Sequence, residues 1–284
     1  MIENWLKEQK RKTNLYSFNV VDISEKTSPE EDIFNYLGKE TITAYRNIGL
    51  LKREYKSKSK EELIKYINDY VFPSESNAIS NGEARLRKNV KQGDFGEILT
   101  MNIIEKFRGL EVPIYKLRWK FNNNRSTFCT DIFAHNRGEH ITDLRYYEVK
   151  TRKTYVKQLG VQAHNSLKND IPNEYIADFL QRYYYEFAEA YIERGFESEA
   201  NKCYEISDKY GQIRNYPKNY TRTFEIVLLL EKSKYKENIL EMLHTLPPSI
   251  EPLEVTVILI SNIKSITEKT YEKAFEHAMN IVYE

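Results

Sequence analysis

Two acids stand where an apolar chain should have none. Asp131 interrupts the run FCTDIFAH (128–135) and Glu148 interrupts RYYEVKT (145–151), and both runs otherwise carry strand-forming residues. An ionised carboxylate in an apolar setting costs several kcal/mol unless it is paired or binds a metal. Two of them on strands joined by the turn-like Asn136-Arg137-Gly138 therefore predict a cation between the strands. Glu148 and Lys150 are two residues apart, so strand periodicity points both to one face, where they can act on one substrate.

The surrounding pattern supplies a fold for that hairpin. Apolar residues at 95, 98, 99, 103, 104 and 107 predict a helix over 94–107 that buries one stripe. Ile114, Tyr115, Leu117, Trp119 and Phe121 suit a strand over 114–121, followed by the turn NNNRS and by strands over 128–134 and 144–151. Helices are expected over 156–169, 175–191 and 197–209. FEIVLLL at 224–230 reads as a buried strand, then come a helix over 236–244, the Pro247-Pro248 turn, a strand over 253–260 and a helix over 268–282. Such alternation argues for an α/β fold, a mixed sheet with helices on its faces.

Upstream, a β-like run at 16–23 and helical patterning over 32–53 and 61–70 precede the cluster FPSESNAISNGE (72–83), the best linker in the chain. A soft boundary there separates a small mixed α/β region, 1–82, from the main domain, 83–284.

Composition narrows the class. A mean hydropathy of −0.66 and the lack of any apolar stretch near the roughly 20 residues that span a bilayer argue against a membrane protein. The amino terminus carries positive charge but no apolar stretch behind it, so the chain is expected in the cytoplasm. Cys129 and Cys203 are far apart and have no CxxC partner, which predicts ordinary reduced thiols. Net charge is only +1, yet between 116 and 157 ten Lys or Arg face four acids. Phosphate contacts are expected there. No P-loop, no GxGxxG after a strand and no GxSxG appears, so nucleotide hydrolysis, dinucleotide chemistry and serine hydrolysis find no support.

Hydrolysis of a phosphodiester requires neutralising charge at phosphorus, lowering the pKa of an attacking water and stabilising the leaving oxygen. Carboxylate-bound Mg²⁺, or Mn²⁺ in its place, does all three. Asp131 and Glu148 are the expected metal ligands, with the carbonyl of Val149 as a further one. Lys150 would orient the water and stabilise the charged transition state. Glu97, within GDFGE, adds a carboxylate at the metal or beside its ligands. Arg152 and Lys153 continue from the same strand and are expected on the DNA backbone, giving affinity without sequence readout.

This order of elements and residues resembles the PD-(D/E)xK nuclease superfamily, whose core runs helix, three-stranded meander, helix, strand. Within it, GDFGEILTMNIIEKF (93–107), YKLRWKFNNN (115–124), CTDIFAHN (129–136), YYEVKTRK (146–153) and DFLQRYYYE (178–186) are similar to the HamA nuclease subunits of Hachiman anti-phage systems, which work beside a helicase, HamB. The resemblance implies a restriction-endonuclease-like core with catalytic Asp131, Glu148 and Lys150, and the helix acid on Glu97. It also implies a polar residue near the site from the helix after the ExK strand, Gln162 or His164. Thr130 stands where the motif's proline would be. With no motor motif of its own, the chain would take unwinding from the helicase partner. A restriction-like or repair nuclease with another partner, and a non-catalytic scaffold that binds DNA or a partner, are the alternatives.

Overall fold

Alternating and continuous apolar runs assemble here into one sheet. Its strands are β1, Leu6–Lys10; β2, Asn19–Glu25; β3, Ile132–His135; β4, Asp143–Arg152; β5, Thr221–Glu231; and β6, Leu253–Ile260. In the computed structural model, which describes residues 1–11, 15–75, 78–120, 122, 124, 130–170, 175–247 and 249–284, they lie in the order β1-β2-β6-β5-β4-β3. Inner strands β2, β6, β5 and β4 pair in parallel, while β1 and β3 close the edges antiparallel. Parallel strands need both faces covered, which is why β5 and β6 are apolar on both sides.

The helices are α1, Ile2–Trp5; α2, Glu31–Tyr45; α3, Ile48–Tyr55; α4, Lys60–Tyr66; α5, Asn81–Phe107; α6, Leu159–Asp170; α7, Tyr175–Ile192; α8, Glu197–Asn215; α9, Asn238–His244; and α10, Ile263–Tyr283. Strand alternation sorts them. Tyr147 and Val149 of β4 join a core with Phe95 and Leu99 of α5, Leu37 of α2 and Ala278 of α10. Leu144 and Tyr146 face the other way, onto Leu159 and Ala163 of α6, Leu240 of α9 and Leu180 of α7. The result is a mixed α/β fold whose sheet is sandwiched between helices, consistent with a nuclease-like core. The amino-terminal strands β1 and β2 belong to this same sheet, held by β6.

The described part of the segment 114–121, residues 114–120, is not the strand its alternation predicts. It forms a 3₁₀ turn, Lys116–Trp119, within which only Leu117 is buried. Pro113 has no N–H to give a ladder, and a single bridge, Glu111 with His135, is all the pairing β3 receives on that side among the described residues. The lysines of the segment turn inward to carboxylates instead. β3 is correspondingly short, and Phe121, Arg125, Phe128, Cys129 and Pro248 lie outside the described residues. The helical stretch 32–53 is two helices, because Asn47 leaves the helix to cap α3 by accepting the Leu50 N–H at 3.0 Å. α5 starts well ahead of 94, capped by Ser80, and α10 starts at Ile263 rather than 268.

Candidate functional site

The register of β3 on β4 fixes the geometry. Ile132 pairs with Tyr147, so Asp131, one step before β3, stands opposite Glu148, and its N–H donates to the Tyr147 carbonyl at 3.1 Å. Asp131 Oδ2 accepts the Val149 N–H at 2.8 Å, in the place a further β3 residue would have used. The N–H and C=O of one strand residue project to the same side. The Val149 carbonyl therefore faces Asp131, as expected of a third oxygen donor.

Glu148 is 4% exposed and accepts a hydrogen bond from the Lys150 ammonium, its neighbour on the same face. Burial, and then the nearby charge of Asp131, push the Glu148 carboxyl up to about 7 from its ordinary 4.5, against the opposing pull of Lys150 and of a hydrogen bond from Ser166. Two carboxylates share a pocket with too little positive charge.

α5 brings two more acids. Its close approach depends on Gly96: a Cβ there would sit 1.8 Å from Thr151 Oγ1 of β4. Gln92, one turn earlier, donates to the Thr151 carbonyl at 3.0 Å and ties helix to strand. Asp94 and Glu97 follow on one helix face, three apart. Asp94 is buried and paired with Lys120 at 2.5 Å, with the Tyr45 hydroxyl also donating to it. Glu97 is pushed well above the usual carboxylate range by burial first, then by Asp131 and Asp94. Lys116 Nζ donates to the Thr130 carbonyl at 3.1 Å and lies 3.5 Å from Asp131 Oδ1.

The structure thus brings Glu97, Asp131, Glu148, Val149 and Lys150 together. Gln162 lies on the exposed face of α6, and His164 is buried against Ser249 at 3.2 Å. Neither bonds Glu148; the α6 residue that does is Ser166. Arg152 is exposed, bonding the Thr151 carbonyl at 2.9 Å, and Lys153 is exposed beside it. Sequence pattern alone does not single out Asp94, Lys116, Lys120 or Ser166. The readable signal was the Asp94-x-x-Glu97 spacing around a glycine and the Lys116-x-x-x-Lys120 spacing beside it.

The donors are hard oxygens. Among the described residues no three His, Cys, Asp or Glu side chains close around one point, so this is no cage. Mg²⁺ is ordinarily held by one or two carboxylates with waters and substrate phosphate completing its shell. The paired acids Asp131 and Glu148, underneutralised and facing a backbone carbonyl, fit that demand.

A family model described as HamA matches residues 1–274 of the chain. No curated protein matches it. No helix among the described residues is long and apolar enough to cross a membrane.

Proposed function

As the chain belongs to the HamA family, and so among the components of Hachiman anti-phage defence, we propose that it is the nuclease of that system, a metal-dependent enzyme that hydrolyses DNA phosphodiesters beside a HamB helicase. The observation that carries this reading is the opposed pair Asp131 and Glu148 with Lys150 on the same face, Glu148 held near neutrality in its titration by burial and by Asp131. Asp131 and Glu148 each have a lysine, but with Asp94 and Glu97 beside Asp131 four acids meet the three lysines Lys116, Lys120 and Lys150.

Asp131, Glu148 and the Val149 carbonyl would hold Mg²⁺ or Mn²⁺, which supplies charge neutralisation at the phosphate and a water acidic enough to attack. The protein's own groups do the rest. The Val149 N–H holds Oδ2 of the Asp131 carboxylate, while Oδ1 lies beside Lys116. Ser166 orients Glu148 from α6, on the face of the sheet that Glu148 shares with Leu144 and Tyr146. Lys150, on the same face as Glu148, would direct its donors to the attacking water and the phosphoryl oxygens. Glu97, whose carboxyl is pushed toward its protonated form by burial and by Asp131, lies at the edge of the pocket. Arg152 and Lys153 lie on the exit of the same strand and hold the backbone.

The chain has no motor motif, and the helicase would present unwound DNA to it. In this reading the nuclease is held quiet in the complex and released when infection presents abnormal DNA. Cleavage of supercoiled and linear DNA with Mg²⁺, Mn²⁺ or EDTA, by the chain alone and with the helicase and ATP, tests it. Metal-dependent cleavage lost in Glu148→Ala and in Lys150→Ala is expected. Wild type inert in every arm would sink the enzymatic reading, and equal cleavage with and without the partner would sink its regulation.

A further inference from the structure

Beyond the catalytic pair, the exit of β4 leads into a small cavity of about 90 Å³. Lys88, Lys91, Lys153 and Lys264 line it, with Glu75 and Glu268 at its walls. Lys264 lies 3.9 Å from Glu268, but among the described residues no carboxylate is within ion-pair distance of Lys88, Lys91 or Lys153. Lys91 is half-buried, and its ammonium rests on the Tyr271 ring, 4.6 Å from the centroid. Burial lowers its pKa, against the opposing pull of Glu75, Glu268 and Glu272. Four lysines line this concavity beside two carboxylates, which leaves a net positive charge that an anion would offset.

Size and place identify the anion. Pockets for nucleosides or metabolites run to roughly 300 Å³ or more, whereas this one admits a single phosphate group. It adjoins Gln92, whose amide holds the Thr151 carbonyl one residue past Lys150. Lys153 is three residues beyond Lys150, about 10 Å along an extended chain.

We infer that the Lys88–Lys91–Lys153–Lys264 niche is a phosphate subsite that grips the backbone of the substrate DNA a short distance from the scissile bond. The inference rests on the nuclease reading and adds to it a second anchoring point, carried by α5 and α10 rather than by the catalytic hairpin. Lys91 rests on Tyr271, Lys88 and Lys264 line the niche from α5 and α10, and Lys153 links it to β4. Because α5 carries both Glu97 and Lys91, one rigid helix sets the distance between metal pocket and phosphate grip.

The test is DNA binding by the full chain in EDTA, followed by fluorescence anisotropy over a range of salt. Neutralising a phosphate-binding lysine reduces the salt slope by about 1. Lys91→Gln and Lys88→Gln are each expected to weaken binding three- to tenfold with that change of slope. Lys91→Arg should keep it, and Lys209→Gln, an exposed lysine on α8, should change nothing. Lys88→Gln leaves the Tyr271 contact intact and guards against a folding defect in Lys91→Gln. DNA bound by wild type with slope and affinity unmoved in both glutamine variants overturns the inference alone. Wild type that binds no DNA, with or without its partner, overturns it together with the nuclease reading. Inorganic phosphate separates the sources of the ligand: saturable binding of free phosphate lost in Lys91→Gln, without an effect on DNA, would make the niche a free-anion site and overturn the inference too.

Discussion

Two buried charge clusters lie on adjacent strands of this sheet, and they are built on opposite plans. On β5, Glu225 is fully buried, and both its oxygens are taken, one by the Arg108 guanidinium and the other by Thr256 Oγ1 at 2.5 Å. Arg108 in turn reaches Thr256 at 2.8 Å and lies 3.5 Å from Glu8. On β4, Glu148 is almost as buried, but it faces Asp131, which Glu97 and Asp94 also approach, so these acids outnumber the lysines Lys116, Lys120 and Lys150. Glu225 has a partner for each of its oxygens; Asp131 and Glu148 share three lysines with two further acids. Burial of charge does not mark a functional site. Incomplete compensation does.

The largest expected effect breaks the closed cluster. Arg108→Ala leaves Glu225 buried and unpaired, and should cost about 3–5 kcal/mol in urea unfolding. A loss below about 1 kcal/mol, the scale of an exposed pair, would erase the distinction drawn above. Lys150→Ala in the open cluster should do the reverse, leaving the unfolding midpoint nearly unchanged while DNA cleavage falls by a factor of about 10²–10³.

Gly96→Ala probes the seam between α5 and the open cluster. The added methyl meets Thr151 Oγ1, and overpacking of this kind costs about 1–3 kcal/mol. Cleavage should fall with it as Glu97 is displaced. Thr151 Oγ1 has no hydrogen-bond partner, so the second change Thr151→Ala should restore most of the stability. An additive double mutant would show that the contact is not the cause.

The smallest effect is in pH dependence. Glu148 binds its proton more tightly in the folded, metal-free protein, at about 7, than in the unfolded chain, near 4.5. Between those values the folded state carries the extra proton, so the stabilisation is full below 4.5 and is lost as pH rises through 7. Glu148→Gln should flatten stability over that window and make the protein more stable than wild type at pH 8 in EDTA. A pH profile of unfolding unchanged by the substitution would mean that Glu148 is compensated after all, like Glu225.

Much of this was legible in the sequence because strong periodicity leaves little choice. The apolar stripe of α5, the two-sided runs of β5 and β6, and the acid-in-strand anomaly at Asp131 and Glu148 each follow from burial alone. Other parts depend on partners far along the chain. LKEQK becomes β1 only because β2 offers its edge, with Leu6 opposite Glu25. The alternation of 114–121 imitates a strand, yet what decides its shape is the pull of Asp94 and Asp131 on Lys120 and Lys116, which no local window contains. Ser166 rather than Gln162 meets Glu148 because α6 starts at Leu159 and its pitch then sets which side faces β4. The opposition of the two acids was readable; the charge balance around them was not.

Strand order has one more consequence, in time rather than in space. β6 is the last strand in the chain, and it sits between β2 and β5, joining the amino-terminal strands to the catalytic half. During synthesis β2 emerges early and waits for β6 across most of the chain, roughly ten to fifty seconds at ordinary elongation rates. Until then the parallel centre of the sheet has no way to close, and pairing over such separations is slow once it begins. A nascent chain on the ribosome therefore holds the β3–β4 hairpin without the sheet that aligns it until β6 has emerged.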